Sequence, residues 1–180
     1  MFSINDAGTA ERWPSAIPST IPGDIDESIK EAARAILRVI FRDRRLLPDK
    51  NALQSGEIAE EEFAIHYPTL FHSIVESKPI HMILPAFPAK SSNRSKTLGD
   101  LPDFGEVLGL TRLQALCNEI RSVHAPGARC TICSDGRVFS DLVGVTDEAV
   151  TRYREELKVI IRQSGTSDIE VFDLDDVFSR

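Results

Sequence analysis

The sequence predicts an α/β fold: a Rossmann-like parallel sheet flanked by helices, with an N-terminal helical segment ahead of it. Three observations predict this. From residue 79 onward, short apolar runs alternate with long amphipathic segments in the order strand, helix, strand, helix, strand. Helical connections between short apolar strands imply parallel pairing through right-handed crossovers. The composition is globular, with 42% hydrophobic and 27% charged residues among 180. That length suits one domain with a trailing N-terminal arm.

The elements follow in order. Residues 1–23 hold Pro14, Pro18 and Pro22 among Ser, Thr and Gly, and read as an irregular arm. The domain then runs over 24–180, helical across 24–77 and βαβαβ across 79–174. Asp24 with Glu27 resembles a capping box, and Ile29, Ala33, Ile36, Leu37 and Ile40 form the apolar stripe behind it. Residues 57–77 read as a helix in two pieces, divided at Pro68. Pro79–Ala86 is a buried-type strand. Asp103, with Glu106 three positions on, opens a helix whose buried face is Leu110, Leu113, Cys117 and Ile120. Ala128–Cys133 is the second strand and Ser134–Val145 a loop. Thr146 caps a third helix carrying Val150, Tyr153, Leu157 and Ile160, and Asp168–Leu174 is the third strand.

Composition narrows the function classes. The net charge of −7 argues against a broad nucleic-acid face while leaving room for a local phosphate site. Apolar runs fall far short of the roughly 18 to 20 residues a membrane span needs. The first residues have no secretory pattern, and the three cysteines, Cys117, Cys130 and Cys133, suit reduced thiols in a cytoplasmic protein. Cys130 and Cys133 match C-x-x-C but stand alone, with His124 the one nearby zinc candidate. They read as buried strand residues. His66 and His72, separated across Pro68, are poor metal ligands.

In open parallel sheets ligands bind beyond the carboxyl ends of the strands. That rule selects three segments. The first carries Lys90, Arg94 and Lys96 with Ser91, Ser92, Asn93 and Ser95, the charge and donors a phosphate requires. The second carries Ser134, Asp135, Gly136 and Arg137, where the glycine permits close backbone approach or a positive φ. The third is acidic, with Asp173, Asp175 and Asp176, and suits hydroxyl orientation, proton transfer, a metal or merely an exposed helix start. Basic serine-rich loops are also commonly just solvated, and Asp135 with Arg137 also fits a structural ion pair. No G-x-G-x-x-G or P-loop supports dinucleotide or NTP binding.

Three strings go further: ILPAFPAKSSNRSK at 83–96, LGDLPDFGE at 98–106 and TICSDGRVFSD at 131–141. They resemble the pyoverdine/dityrosine biosynthesis family, whose characterised members are isocyanide (isonitrile) synthases. The resemblance runs from about residue 24 to the end and is densest at 83–145. It implies condensation of the α-amino group of an amino acid, often tyrosine or tryptophan, with ribulose 5-phosphate. The amine becomes an isocyanide whose carbon comes from the sugar. No redox or metal cofactor is implied. On this reading Lys90, Asp135 and Arg137 are catalytic. Lys90 polarises the sugar carbonyl or acts as acid/base, its pKa lowered by neighbouring cations. Asp135 binds the amine or shuttles protons, and Arg137 pairs with a carboxylate or phosphate. Ser91, Asn93, Arg94, Lys96 and Ser134 bind substrate, with Arg94 and Lys96 on the phosphate.

Family members run to around 300 residues or more, so this chain reads as the N-terminal part. A half-sheet exposes an apolar edge, which invites a second copy or a partner chain to complete it. The alternative function is a non-catalytic member that binds a phosphorylated ligand or a partner.

Overall fold

The computed structural model describes residues 2–4, 10–12, 27–42, 58–134 and 136–173. The chain divides into two compact units, residues 1–80 with 120–127, and residues 81–119 with 128–180. The described elements are β1 (Phe2–Ile4), β2 (Ala10–Arg12), α1 (Glu27–Arg42), α2 (Glu60–Val75), β3 (Ile80–Pro85), α3 (Phe104–Val123), β4 (Ala128–Ser134), α4 (Gly136–Val143), α5 (Asp147–Gln163) and β5 (Ile169–Asp173).

In the first unit β1 and β2 pair antiparallel, Ser3 opposite Glu11, within the stretch expected to be an irregular arm. The remaining arm residues lie outside the described residues, as does Asp24, the expected cap of α1. α1 buries Ala33, Ile36 and Leu37. Its Arg34 reaches α2, bonding Glu60 at 2.7 Å and lying 4.0 Å over the Phe63 ring. The break expected at Pro68 does not occur: α2 is continuous through it. An interior proline removes a backbone donor, but aromatic packing spans the weak point. Phe63 stacks on Tyr67 at 4.9 Å, and Tyr67 meets Phe71 edge-on at 6.0 Å. His66 and His72 are ring contacts of Phe41 and Phe71. His124 bonds the Lys78 carbonyl through Nε2 at 2.8 Å.

The second unit is α/β, a parallel three-stranded sheet of order β3-β4-β5 flanked by helices. Cys130 sits opposite Ile169 and Ser134 opposite Asp173. Sequential order with right-handed crossovers puts α3 and α5 on one face. Tyr153 Oη of α5 donates to Glu106 of α3 at 3.1 Å, and Gln114 of α3 bonds Asp168, just ahead of β5, at 2.7 Å. β4 alternates accordingly. Ala128, Cys130, Ile132 and Ser134 are all buried on one face; on the other Arg129 is exposed, Cys133 half-buried and Thr131 buried beside His81 and Glu170. Cys130 and Cys133 thus project from opposite faces of one strand and cannot share a metal. All three cysteines are free thiols, and burial pushes the Cys130 thiol up to about 11. Among the described residues no cluster of His, Cys, Asp or Glu is placed to hold a metal ion, and no helix is long and apolar enough to cross a membrane.

The sequence expectation fails over Ser134–Val145. Residues 136–143 form α4 rather than a loop. Gly136 has the close approach expected of it. A Cβ there would lie 2.1 Å from the Pro88 carbonyl oxygen, so only glycine lets α4 start against the segment leaving β3.

Candidate functional site

The site grows from the way the chain leaves β3. Phe87 takes a left-handed backbone conformation, φ 55°, unusual for a bulky residue. Its ring is accommodated at Gly109 of α3, where a Cβ would come within 3.3 Å of the ring edge. Ser134 Oγ donates to the Phe87 carbonyl at 3.5 Å. The segment is thereby directed across the carboxyl ends of the strands toward the start of α5.

Lys90 is the anchor of the rim. Its side chain is 15% exposed, and Nζ lies 2.7 Å from Glu106 and 3.1 Å from Asp103. The two acids belong to the capping box that starts α3. Asp103 Oδ1 accepts from the Gly105 N–H at 2.7 Å, and Glu106 Oε2 accepts from the Asp103 N–H at 2.7 Å. Burial alone pulls the Lys90 ammonium down, but the bonds to Glu106 and Asp103 outweigh it and raise its pKa. The expected lowering by neighbouring cations is not found, because the near neighbours are carboxylates. Lys90 is a fixed positive charge at neutral pH. The Gly105 N–H and then the Lys90 ammonium hold the Asp103 carboxyl below its usual range. Burial and the Glu106 charge push the Tyr153 phenol far above its ordinary value, so it stays a neutral donor to Glu106.

Two cavities share Lys90. The first, about 270 Å³, is lined by Ala89, Lys90, Ser92, Arg94, Asp100, Gly144, Val145, Thr146, Ala149 and Arg152. It gathers three cations beside the first two turns of α5, whose cap Thr146 accepts from the Ala149 N–H at 3.3 Å. Helix N-termini carry partial positive charge, so the polarity adds to the cations. Arg94 is 60% exposed and held by Asp100 at 3.0 Å. The second cavity, about 380 Å³, is lined by Pro88, Ala89, Lys90, Ser91, Gly136, Phe139 and Val145. Its wall is mainly apolar.

The expected site residues therefore separate. Lys90 and Arg94 share the cationic cavity, and Ser91 joins Lys90 in the apolar one. Asn93 spends its side chain on the turn, where Oδ1 accepts from the Ser95 N–H at 2.9 Å and the Ser95 hydroxyl at 2.7 Å. Lys96 is exposed and lines neither cavity. Ser134 is buried against the Phe87 carbonyl. Arg137 donates through Nη2 to Thr151, and lines neither cavity. Asp135 lies outside the described residues, as do Asp175 and Asp176. Asp173 is buried and paired with Arg154 at 2.9 Å. Sequence reasoning missed Arg152. The signal was present: Thr146, Ala149 and Arg152 recur every three residues along one side of α5.

The second unit thus carries a cavity lined by three cations beyond the strand ends of a parallel α/β sheet, the edge at which such folds commonly take their ligands. The profile of the pyoverdine/dityrosine biosynthesis protein matches residues 71–180. The chain belongs to that family. It is 47% identical over 146 residues to the L-tryptophan isonitrile synthase AmbI2 of Fischerella ambigua, a match covering 80% of this chain and 43% of that protein. It is 40% identical over 144 residues to the L-tyrosine isonitrile synthase of Pseudomonas aeruginosa, covering 79% and 44%. The crystal structure of PvcA from Pseudomonas aeruginosa superposes with a TM-score of 0.67 at 38% identity, covering 79% of this chain and 46% of that one. The chain thus spans less than half the length of these relatives.

Proposed function

We propose that this chain is an isonitrile synthase half-site that binds ribulose 5-phosphate for condensation with the α-amino group of tryptophan or tyrosine. The names of its relatives support the reaction class. One structural observation carries the sugar-phosphate reading: Lys90, Arg94 and Arg152 line one cavity beside the first two turns of α5. In this reading Arg94 and Arg152 take the phosphate, with Ser92 and Thr146 as hydroxyl partners. Lys90 is a permanently charged donor that polarises the sugar carbonyl rather than a base, since its pKa is raised. Asp135 is retained as the group receiving the amine, and Arg137 positions the start of α4 against α5 through Thr151.

The test is calorimetric titration of the chain with ribulose 5-phosphate, followed by incubation with L-tryptophan or L-tyrosine and mass spectrometry for the isonitrile. Saturable binding, lost together in Arg94→Ala and Arg152→Ala, supports the reading. Absence of binding, or indifference to both substitutions, rejects it. Binding without product assigns the chain to the second reading, a phosphate-binding member that does not turn over by itself.

A further inference from the structure

The apolar cavity has a composition the phosphate does not explain. Pro88, Ala89, Phe139 and Val145 give it an apolar wall, and its volume of about 380 Å³ falls in the range of small-molecule sites. It does not stand apart: Ala89, Lys90 and Val145 line both cavities. An apolar chamber thus adjoins a cationic one, with a charged lysine where they meet. Gly136 lines the chamber where α4 begins against the Pro88 carbonyl, and Phe139 follows one turn later.

We propose that this chamber takes the aromatic side chain of the amino-acid substrate, with Phe139 as its specificity-determining wall. The inference rests on the condensation reading for its second substrate. The one charge common to both cavities is the Lys90 ammonium, which attracts an α-carboxylate at their junction. The amino head would then lie at the junction, beside the cavity assigned to the sugar. The side chain would point away from the phosphate, against Pro88, Ala89, Phe139 and Val145. Phe139 is 45% exposed, so a ring stacked on it would cover apolar surface now facing solvent.

The test is calorimetry of the full chain with L-tryptophan, L-tyrosine and L-alanine, each with and without saturating ribulose 5-phosphate. Three variants accompany the native chain: Phe139→Ala, which removes the wall; Phe139→Trp, which fills the chamber; and Leu142→Ala, on the same helix but outside it. L-tryptophan should bind more tightly than L-alanine. Phe139→Ala and Phe139→Trp should each weaken it about tenfold, while Leu142→Ala changes nothing and the sugar phosphate binds within about twofold of native throughout. Unchanged L-tryptophan affinity in both Phe139 variants overturns the proposal, as does equal affinity for L-alanine or no amino-acid binding at all. Phe139-dependent L-tryptophan binding without any ribulose 5-phosphate binding upholds the chamber and removes the phosphate reading instead.

Discussion

The turn at 91–97 and the first two turns of α5 face the same cationic cavity, and they contribute unequally. The turn holds most of the polar side chains of the rim, yet spends them on itself. Asn93 bonds Ser95 twice, Thr97 Oγ1 donates to the Ser91 carbonyl at 2.9 Å, and Arg94 is held by Asp100. The start of α5 is poorer in polar residues but contributes Thr146, Ala149 and Arg152 to the lining. Readiness for a ligand depends on which groups the fold leaves facing the cavity, not on how many stand nearby in the sequence.

The sharpest way to break the comparison is to push the two segments apart. Gly136→Ala places a methyl 2.1 Å from the Pro88 carbonyl, a backbone atom that cannot rotate away. Destabilisation of about 3 kcal/mol is expected, at the upper end of overpacking costs. Urea unfolding followed by circular dichroism measures it. A variant as stable as the native chain would mean the contact between α4 and the 88–90 segment is not tight, and that neither cavity has the walls described.

Next in size is the contrast between two cations. Arg152→Ala should weaken ribulose 5-phosphate binding by about thirtyfold, equivalent to about 2 kcal/mol for a charge-assisted bond. Lys96→Ala should change it by less than about twofold at physiological ionic strength, as for an exposed, screened charge. Titration of both variants in one buffer decides it. Equal losses would return the site to the turn.

That contrast also marks how far the sequence could be read. The strand–helix alternation, the apolar faces of α1 and α5 and the Asp103–Glu106 cap were legible, because each is set by local spacing. So was the family, carried by strings around Lys90 and Ser134. Arg152 was not, since it stands in a helix surface already rich in charge beside Arg154, Glu155 and Glu156. Its spacing with Thr146 and Ala149 was visible, but the return of residues 89–94 across the strand ends is what turns that side of α5 into a cavity wall. α4 was hidden for a related reason. Ser134-Asp135-Gly136 is a turn signal, and eight residues make barely two helical turns, too few for their periodicity to overrule it. The break expected at Pro68 was overruled by the aromatic contacts of Phe63, Tyr67 and Phe71, which are a matter of packing rather than propensity.

A smaller effect tests the turn directly. Asn93→Ala removes the acceptor for the Ser95 N–H and hydroxyl, and should cost about 1 kcal/mol, the usual net worth of such bonds. If the turn only shapes the rim, melting temperature falls while ribulose 5-phosphate affinity drops modestly. If Asn93 touches the ligand, affinity falls as far as in Arg152→Ala, and the division between the two segments is lost.

The smallest expected effect is a pH dependence at the junction they share. The folded-state pKa of Asp103 is lowered from its ordinary 3.8, first by the Gly105 N–H and then by Lys90. A lowered carboxylate contributes stability that is present above its unfolded pKa and lost as pH falls through the folded one. The native chain should therefore lose stability below about pH 4, where the carboxylate begins to protonate. Asp103→Asn keeps an oxygen for the Gly105 N–H but gives Lys90 one charged partner fewer. It should be slightly less stable than native at pH 7 and show a flatter acid limb. On the alkaline side Lys90, with a raised pKa, contributes stability below its unfolded value and loses it only above about pH 10.5. Thermal melts from pH 2 to 8 compare the two chains, and parallel acid limbs would show that the carboxylate beside Lys90 is not held ionised by the fold.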